Sequence, residues 1–342
     1  MASAVLVTGG SGYFGTVLAQ QAIARGHRVR VLDVNPPEPS LDVEYVQADV
    51  RDAAAVRAAC EGVDVVMHNV AQVPLAKDRA LFDSVNVVGT ANVLVAARDA
   101  RVSKVVHTSS SAVFGIPERN PVTEETLPRP LEAFGRAKLE AELLCRDAAV
   151  GGLDVTVVRP RTILGHGRLG IIAVLFDFVA DGAPVYVLGG GTNRYQFVHA
   201  VDLADACLRA AARPGPTVYN VGAAEFGTMR ETLQALVDHA ATGSRVRSLP
   251  VAPARFAMKV LSRAGQAPFA PYHWLLYSES LWFDVTKART ELGWEPKHSN
   301  ASMVVESYEW YLAHRDELDG HGRSHHQSPV RPGLLALLKR LP

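Results

Sequence analysis

Over its first 160 residues the chain alternates between two hydrophobic periods. Residues 5–8, 29–33, 43–47, 63–68, 104–109 and 155–159 are short, nearly continuous apolar runs rich in Val, as expected of strands buried on both faces. Between most of them, 16–25, 53–59, 86–100 and 134–149 repeat their apolar positions every three or four residues, the spacing of a helix with one buried face. Gly26, Gly62, Arg101 and the pair Gly151-Gly152 stand where those helices stop, and Asp52 and Ser84 where two of them start. Strand and helix in alternation predict an α/β fold with a doubly wound parallel sheet.

Beyond Pro160 the rhythm loosens. A glycine-rich loop (165–170) precedes an apolar helix (171–180), and a strand (185–188) ends in Gly189-Gly190-Gly191. A short strand (196–198), helix 203–212, strand 217–221 and helix 229–240 follow. From 250 to 282 the chain is apolar and aromatic, with Phe256, Met258, Leu261, Phe269, Tyr272, His273, Trp274 and Trp282. Such a stretch is either the core of a smaller C-terminal lobe or the wall of an apolar pocket, and core is the reading taken. Helix 286–292 is stopped by Gly293 and Pro296, and 303–314 is a last helix. The tail 320–342 holds His321, His325 and His326 among Gly, Arg and Ser, a linker composition rather than a metal tract. It ends in a short apolar helix (334–341) expected to dock on protein, either the body or a second subunit, which leaves room for a homodimer.

Composition narrows the class. Hydrophobic residues make up 48% and charged residues 20%, values of a globular protein, and 342 residues suffice for one large or two modest domains. A net charge of zero argues against a nucleic-acid partner held by bulk charge. Cys60, Cys145 and Cys207 are far apart without a C-x-x-C, which suits core thiols in a reducing compartment. The N-terminus runs straight into a strand rather than a signal peptide, and no apolar run reaches the ~18–20 residues of a spanning helix. A cytoplasmic protein is expected.

The first strand ends at Thr8-Gly9-Gly10-Ser11-Gly12-Tyr13-Phe14-Gly15, and a helix follows. Strand, glycine turn and helix put a helix N-terminus under a diphosphate. Gly9 permits the turn, Gly12 a close backbone approach to phosphate, and Gly15 close packing of helix on strand. Asp33 ends the next strand, ~20 residues on, where a carboxylate meets a ribose 2′-hydroxyl. No arginine directly follows it to take a 2′-phosphate, so NAD is expected over NADP. Further along, Thr108-Ser109-Ser110-Ser111 brings hydroxyls to the carboxyl edge of the sheet, where open α/β folds bind ligands. Phe134 and Lys138 are one helical turn apart and share a face.

With these residues the chain resembles the extended short-chain dehydrogenases/reductases, of the sugar-nucleotide epimerase/dehydratase and 3β-hydroxysteroid dehydrogenase kind. The resemblance spans roughly residues 4–315. It rests on the T-G-x-x-G-x-x-G loop from Thr8 to Gly15 and on the order Asp49, Asn86, Ser110, Lys138, Arg159-Pro160 and the Phe197 to Asp202 box. It implies a Rossmann-like NAD-binding domain over 1–160, to which 196–222 return, and a mainly substrate-binding lobe over 161–319. It also implies that the Asp49 position, with Val50, binds adenine, and that Val70 and Ala71 line the nicotinamide half. The Lys138 position takes the nicotinamide ribose, with Asn86, Pro160 and Thr162 completing the cofactor set. Ser110 polarises the substrate oxygen. Ser111, Thr162, Arg194 and His199 face the substrate, and no metal is called for.

One position departs from the family's pattern of Tyr-x-x-x-Lys, in which the tyrosine is the general acid/base: here it is Phe134. Phenylalanine keeps the ring and loses the oxygen, and general acid–base help is typically worth ~10²–10⁴ in rate. Three readings stand: an engineered Tyr-to-Phe change, a natural variant using water, Ser110 or His199 as acid, and a redox-dead binding protein. The expected activity is NAD-dependent epimerisation, dehydration or ketoreduction of a nucleotide sugar, with Arg194 near its diphosphate. The alternative is a hydroxysteroid dehydrogenase-like oxidoreductase acting on an apolar alcohol or ketone, which the aromatic segment suits.

Overall fold

The computed structural model describes residues 3–72, 81–264, 275–317 and Lys339. The expectations for Phe269, Tyr272, His273, Trp274 and the helix 334–341 fall outside these, Lys339 excepted. In chain order the first half comprises β1 (Ala4–Thr8), α1 (Tyr13–Ala24), β2 (Arg28–Asp33), β3 (Glu44–Gln47), α2 (Ala53–Cys60) and β4 (Val65–His68). It continues with α3 (Gly89–Asp99), β5 (Lys104–Thr108), α4 (Ala133–Val150) and β6 (Val155–Pro160). The second half has β7 (Thr162–Leu164), α5 (Ile171–Ala180), β8 (Val185–Leu188), β9 (Phe197–His199), α6 (Ala200–Ala212), β10 (Thr217–Val221) and α7 (Met229–Ala240). Then come β11 (Val246–Leu249), α8 (Val251–Arg263), α9 (Thr286–Leu292) and α10 (Asn300–His314).

Seven strands pair in the order β10-β6-β5-β4-β1-β2-β3, all parallel. The strand order reverses between β1 and β4, which opens a crevice at the carboxyl ends near Thr8 and His68. Side chains alternate across β1: Val5 and Val7 join Leu18 of α1 and Leu203 of α6 on one face, while Leu6 meets Leu32, Val56, Val93 and Val105 on the other. Both faces are covered, which is why β1 reads as an unbroken apolar run. Leu6, Leu18 and Leu32 are fully buried, and cutting any of them to alanine should cost ~2–5 kcal/mol. A separate core gathers Leu164, Phe176, Val185, Phe197, Leu236 and Tyr308 beside the sheet. The pairs β7–β9 and β8–β11 extend that lobe.

Asp52 caps α2 as expected, accepting the Ala54 and Ala55 amides. Ser84 does not cap α3; it lies inside a π-helical turn, Phe82–Val88, that runs directly into α3. The helix expected at 203–212 begins at Ala200, because the imidazole of His199 accepts the Val201 amide and caps it. α10 begins at Asn300, capped by Ser299. The largest correction concerns 250–282. Its first part is α8, none of whose side chains is buried, and Phe256 is 71% exposed. Leu276, Leu281 and Phe283 are core, but α8 is wall.

Candidate functional site

The glycine loop is built as the sequence demands. A Cβ at Gly15 would stand 1.9 Å from Gly9 O, so α1 rests directly on the turn that precedes it. Gly12 is the N-cap of α1 and brings no side chain to its first amides, so a 12-residue helix points its uncapped positive end at the crevice. Asp33 accepts the Ser11 amide at 3.1 Å and the Asn35 amide at 3.0 Å, which fixes the carboxylate beside the loop. Burial nonetheless raises its pKa above the ordinary carboxylate range. Gly9, Gly12, Tyr13, Phe14, Asp33, Asp49, Val50, Val70 and Ala71 all border one cleft. These features fit a dinucleotide: a bare helix end for phosphates, an oriented carboxylate for a ribose, and apolar walls for the base. Asp49 is partly committed, since both its oxygens accept from Arg51, which lowers its pKa.

The other long edge of the cleft comes from β5 and α4. Thr108 to Ser111, Phe134 and Lys138 border it. Lys138 Nζ is buried and donates to Thr108 O at 2.8 Å, and burial pulls its pKa down to about 8. Burial, reinforced by the Lys138 charge, holds His68 neutral with a pKa of about 3. Its ring bridges the Thr8 and Thr90 hydroxyls at 2.8 and 2.9 Å. The three serines differ in freedom. Ser109 donates to Glu142, which also holds the buried Arg159 through both oxygens. The Ser111 hydroxyl accepts from Arg161 at 2.7 Å. Among the described residues Ser110 keeps only the Ala112 amide at 3.2 Å, so its proton remains available to a ligand. Glu132 caps α4 through the Phe134 and Gly135 amides, which sets Phe134 at the mouth of the helix. The Phe134 ring is 8% exposed and lies edge-on to Phe82 at 6.3 Å.

Four candidates do not border the cleft. Asn86 is buried behind the cleft, its amide spent on the Gln72 backbone N–H and C=O. Gly15 shapes the loop from beneath without bordering the cleft. Arg194 does not line the cleft: its guanidinium lies over the Phe226 and Trp282 rings at 4.9 and 4.8 Å. His199 is also outside it, stacked on His298 at 3.9 Å with Nε2 2.7 Å from Glu306. His199, His298 and Glu306 are spaced closely enough to hold a metal ion. However, Nδ1 of His199 accepts the Val201 amide, which puts the proton on Nε2. Asp202 packs beside this cluster and accepts from the Lys297 and His298 amides instead of capping α6.

Sequence reasoning missed several cleft residues. Tyr195 is buried on the cleft wall with its hydroxyl 2.7 Å from that of Thr162 and the Arg161 guanidinium 4.7 Å above its ring. Arg168 borders the cleft from the loop after β7. The cleft, about 1130 Å³, exceeds the ~300–1,000 Å³ of one small-molecule site. Its far half is walled by Ile171, Leu175, Phe178 and Leu188, by Leu233 of α7, and by Ala254, Met258 and Leu261 along one side of α8.

Residues 5–222 match the model of the NAD dependent epimerase/dehydratase family. A protein of Sinorhizobium fredii, y4nG, is 52% identical over 97% of this chain and 85% of its own length. A 4-hydroxy-2-methyl-3-oxo-4-farnesyl-3,4-dihydroquinoline-1-oxide ketoreductase of Stigmatella aurantiaca is 31% identical over 84% of this chain and 90% of its own. Among solved structures, UDP-glucose 4-epimerase from Thermotoga maritima with UDP-glucose superposes with a TM-score of 0.76 at 22% identity, covering 91% of this chain and 99% of the other. That likeness shows the Rossmann-like fold; the family rests on the sequence. The crevice at the strand reversal, the bare end of α1, Asp33 and the family match agree: the chain belongs to the NAD-dependent epimerase/dehydratase family.

Proposed function

We propose that the protein is an NAD-dependent oxidoreductase that moves hydride to or from a carbinol or ketone carbon of a large apolar substrate. The observation that carries this is the far half of the cleft, where aliphatic and aromatic side chains from α5, β8, α7 and α8 meet. Apolar area buried there contributes ~25 cal/mol per Å². A nucleotide sugar would bring hydroxyls and a diphosphate to the same walls, and each polar group left unpaired costs ~2–7 kcal/mol. Arg194, the side chain expected to meet that diphosphate, is stacked on Phe226 and Trp282 instead. The farnesyl-bearing substrate named for the 31%-identical ketoreductase is of the same apolar class.

In this reading the diphosphate of NAD lies over Gly12, Tyr13 and Phe14, with Asp33 on the adenosine ribose. Asp49 and Val50 flank the adenine, and Val70, Ala71, Pro160 and Lys138 the nicotinamide half. Bound NAD supplies or accepts the hydride. The chain's own part is to bind, to orient and to handle one proton. Ser110 donates a hydrogen bond to the substrate oxygen. Thr162 joins Tyr195 at the junction with the lobe. Phe134, where the family's tyrosine would stand, closes the site against water and exchanges no proton, so turnover is slow or uses another hydroxyl. The test is NADH formation, followed by fluorescence, with a panel of sterols, prenyl alcohols and long secondary alcohols beside UDP-glucose. Turnover or thermal stabilisation by an apolar alcohol, with none by UDP-glucose, is the expected result. The reverse pattern refutes the apolar reading.

A further inference from the structure

Among the described residues, Arg168 is a cation without a counter-ion. No carboxylate lies within ion-pairing distance of it among the described residues, whereas the buried Arg159 is matched by Glu142. Its hydrogen bonds go to two carbonyls, Ile163 O and Leu169 O, each at 3.3 Å. A guanidinium carries five donors, so most of its capacity is unspent. The side chain nevertheless borders the cleft and lies over the ring of Tyr13, 5.9 Å from its centre. Burial pulls its pKa down to about 10, the signature of a charge held away from water. Leaving such a charge unmatched is costly, and an incoming anion would relieve that cost.

The same place is already electropositive. Tyr13 is the first residue of α1, whose N-terminus has no side-chain cap. The loop carrying Arg168 is pressed onto that helix end. At Gly165, with φ +136°, a Cβ would stand 3.0 Å from the Tyr13 hydroxyl and 2.7 Å from His199 Nε2, so no side chain is tolerated between loop and helix. The Tyr13 hydroxyl is buried and has no hydrogen-bond partner among the described residues. The Arg168 turn, whose amide donates to Gly165 O at 3.1 Å, is thus fixed against the residues that would carry the dinucleotide's phosphates.

We propose that Arg168 is an anion-binding residue that reaches the cofactor's diphosphate from the lobe side, opposite the Gly12 loop. This rests on the NAD reading above and adds to it a contact supplied by the second half of the chain. The loop at 165–170 then becomes part of the cofactor's grip, and cofactor occupancy orders the entrance to the apolar half of the cleft. The same chemistry would also serve an anionic group on the substrate, and the two sources separate by titration.

The experiment is calorimetric titration of NAD and of AMP into the unmodified chain, Arg168→Gln and Arg168→Lys, with melting curves as the folding control. Losing a charge-assisted contact should weaken NAD by about 10- to 100-fold in Arg168→Gln, leave AMP within error, and be partly rescued in Arg168→Lys. Inorganic phosphate titrated into the NAD-loaded forms is the second arm. If NAD affinity is unchanged and phosphate binding to the NAD-loaded chain is lost in Arg168→Gln, the anion belongs to the substrate and the diphosphate assignment is overturned. If both titrations are unchanged in a folded Arg168→Gln, the anion site itself is overturned. Failure of the unmodified chain to bind NAD would instead refute the cofactor reading.

Discussion

Replacing Phe134 by tyrosine should raise kcat far more than it changes KM. The ring is retained in its slot against Phe82, and Phe134 borders the cleft, so an added oxygen has open volume beside it. Lys138 follows one turn later on the same face. With a pKa of about 8, its ammonium is charged in about nine molecules of ten at pH 7. A cation so placed favours the phenolate and poises the group for proton exchange with a carbinol. A positioned acid–base contributes ~10²–10⁴ in rate, equivalent to ~2.7–5.5 kcal/mol of transition-state stabilisation. The assay is steady-state NADH fluorescence with one substrate and both forms. The gain should belong to kcat, since an interaction made only in the transition state is what was restored. It should fade as pH climbs through about 8, where Lys138 loses its proton. A fast Phe134 enzyme with no gain on substitution would refute the reasoning and assign the proton to another group, with Ser110→Ala and Tyr195→Phe as the deciding comparisons.

Other consequences follow from the buried charges. Asp33→Ala should weaken NAD by ~1.5–3 kcal/mol in a calorimetric titration; unchanged affinity, or tighter binding of NADPH than NADH by the unmodified chain, would contradict the ribose contact. Lys138 is held at about 8 against 10.5, so between those values the unfolded chain binds more protons and stability should rise with pH, by up to ~3 kcal/mol. Urea midpoints of Lys138→Met should lack that rise, and an identical pH profile would show that burial does not strain the lysine. Glu142→Ala strands Arg159 and Ser109 and should cost ~3–5 kcal/mol in a denaturation midpoint, whereas a loss under ~1 kcal/mol would mean that water reaches the pair.

The residues whose roles were legible in the sequence are those governed by their own chain neighbours. β1, β5 and β6 carry apolar residues on consecutive positions because helices cover both faces of the sheet, and that pattern survives without knowing which helix covers which strand. Gly15 is required by an oxygen six residues before it, and Asp52 caps a helix that begins at the next residue. Three candidate residues are less legible, because what they touch lies outside the motif that nominates them. The motif brings Arg194 near a ligand, whereas its guanidinium stacks on Phe226 and Trp282. The resemblance gives Asn86 to the cofactor, whereas its amide serves the backbone of Gln72. The resemblance turns His199 toward the substrate, whereas its ring caps its own helix and lies against Glu306 and His298.

The stretch from 250 onward failed for a different reason. An apolar helix face looks the same whether it meets a core or a cavity, and only the packing of α8 shows that Ala254, Met258 and Leu261 border open space while Phe256 stands exposed. Arg168 is the converse: an arginine in a glycine loop reads as solvated until its two carbonyl partners and the Tyr13 ring, with no carboxylate pairing it among the described residues, become visible. Phe134 combines both limits. The missing oxygen is plain from one letter, but whether the chain replaces it depends on which hydroxyls the fold delivers to the same cleft. It delivers Ser110 from the end of β5, and Thr162 with Tyr195 at 2.7 Å from β7 and the segment before β9. A proton route through these would leave the wild-type enzyme active, would make Tyr195→Phe or Ser110→Ala costly, and would make the tyrosine at 134 redundant. Without such a route, only that tyrosine restores the rate. Measured on one substrate, the three substitutions therefore distinguish a chain that has moved its acid from one that has lost it.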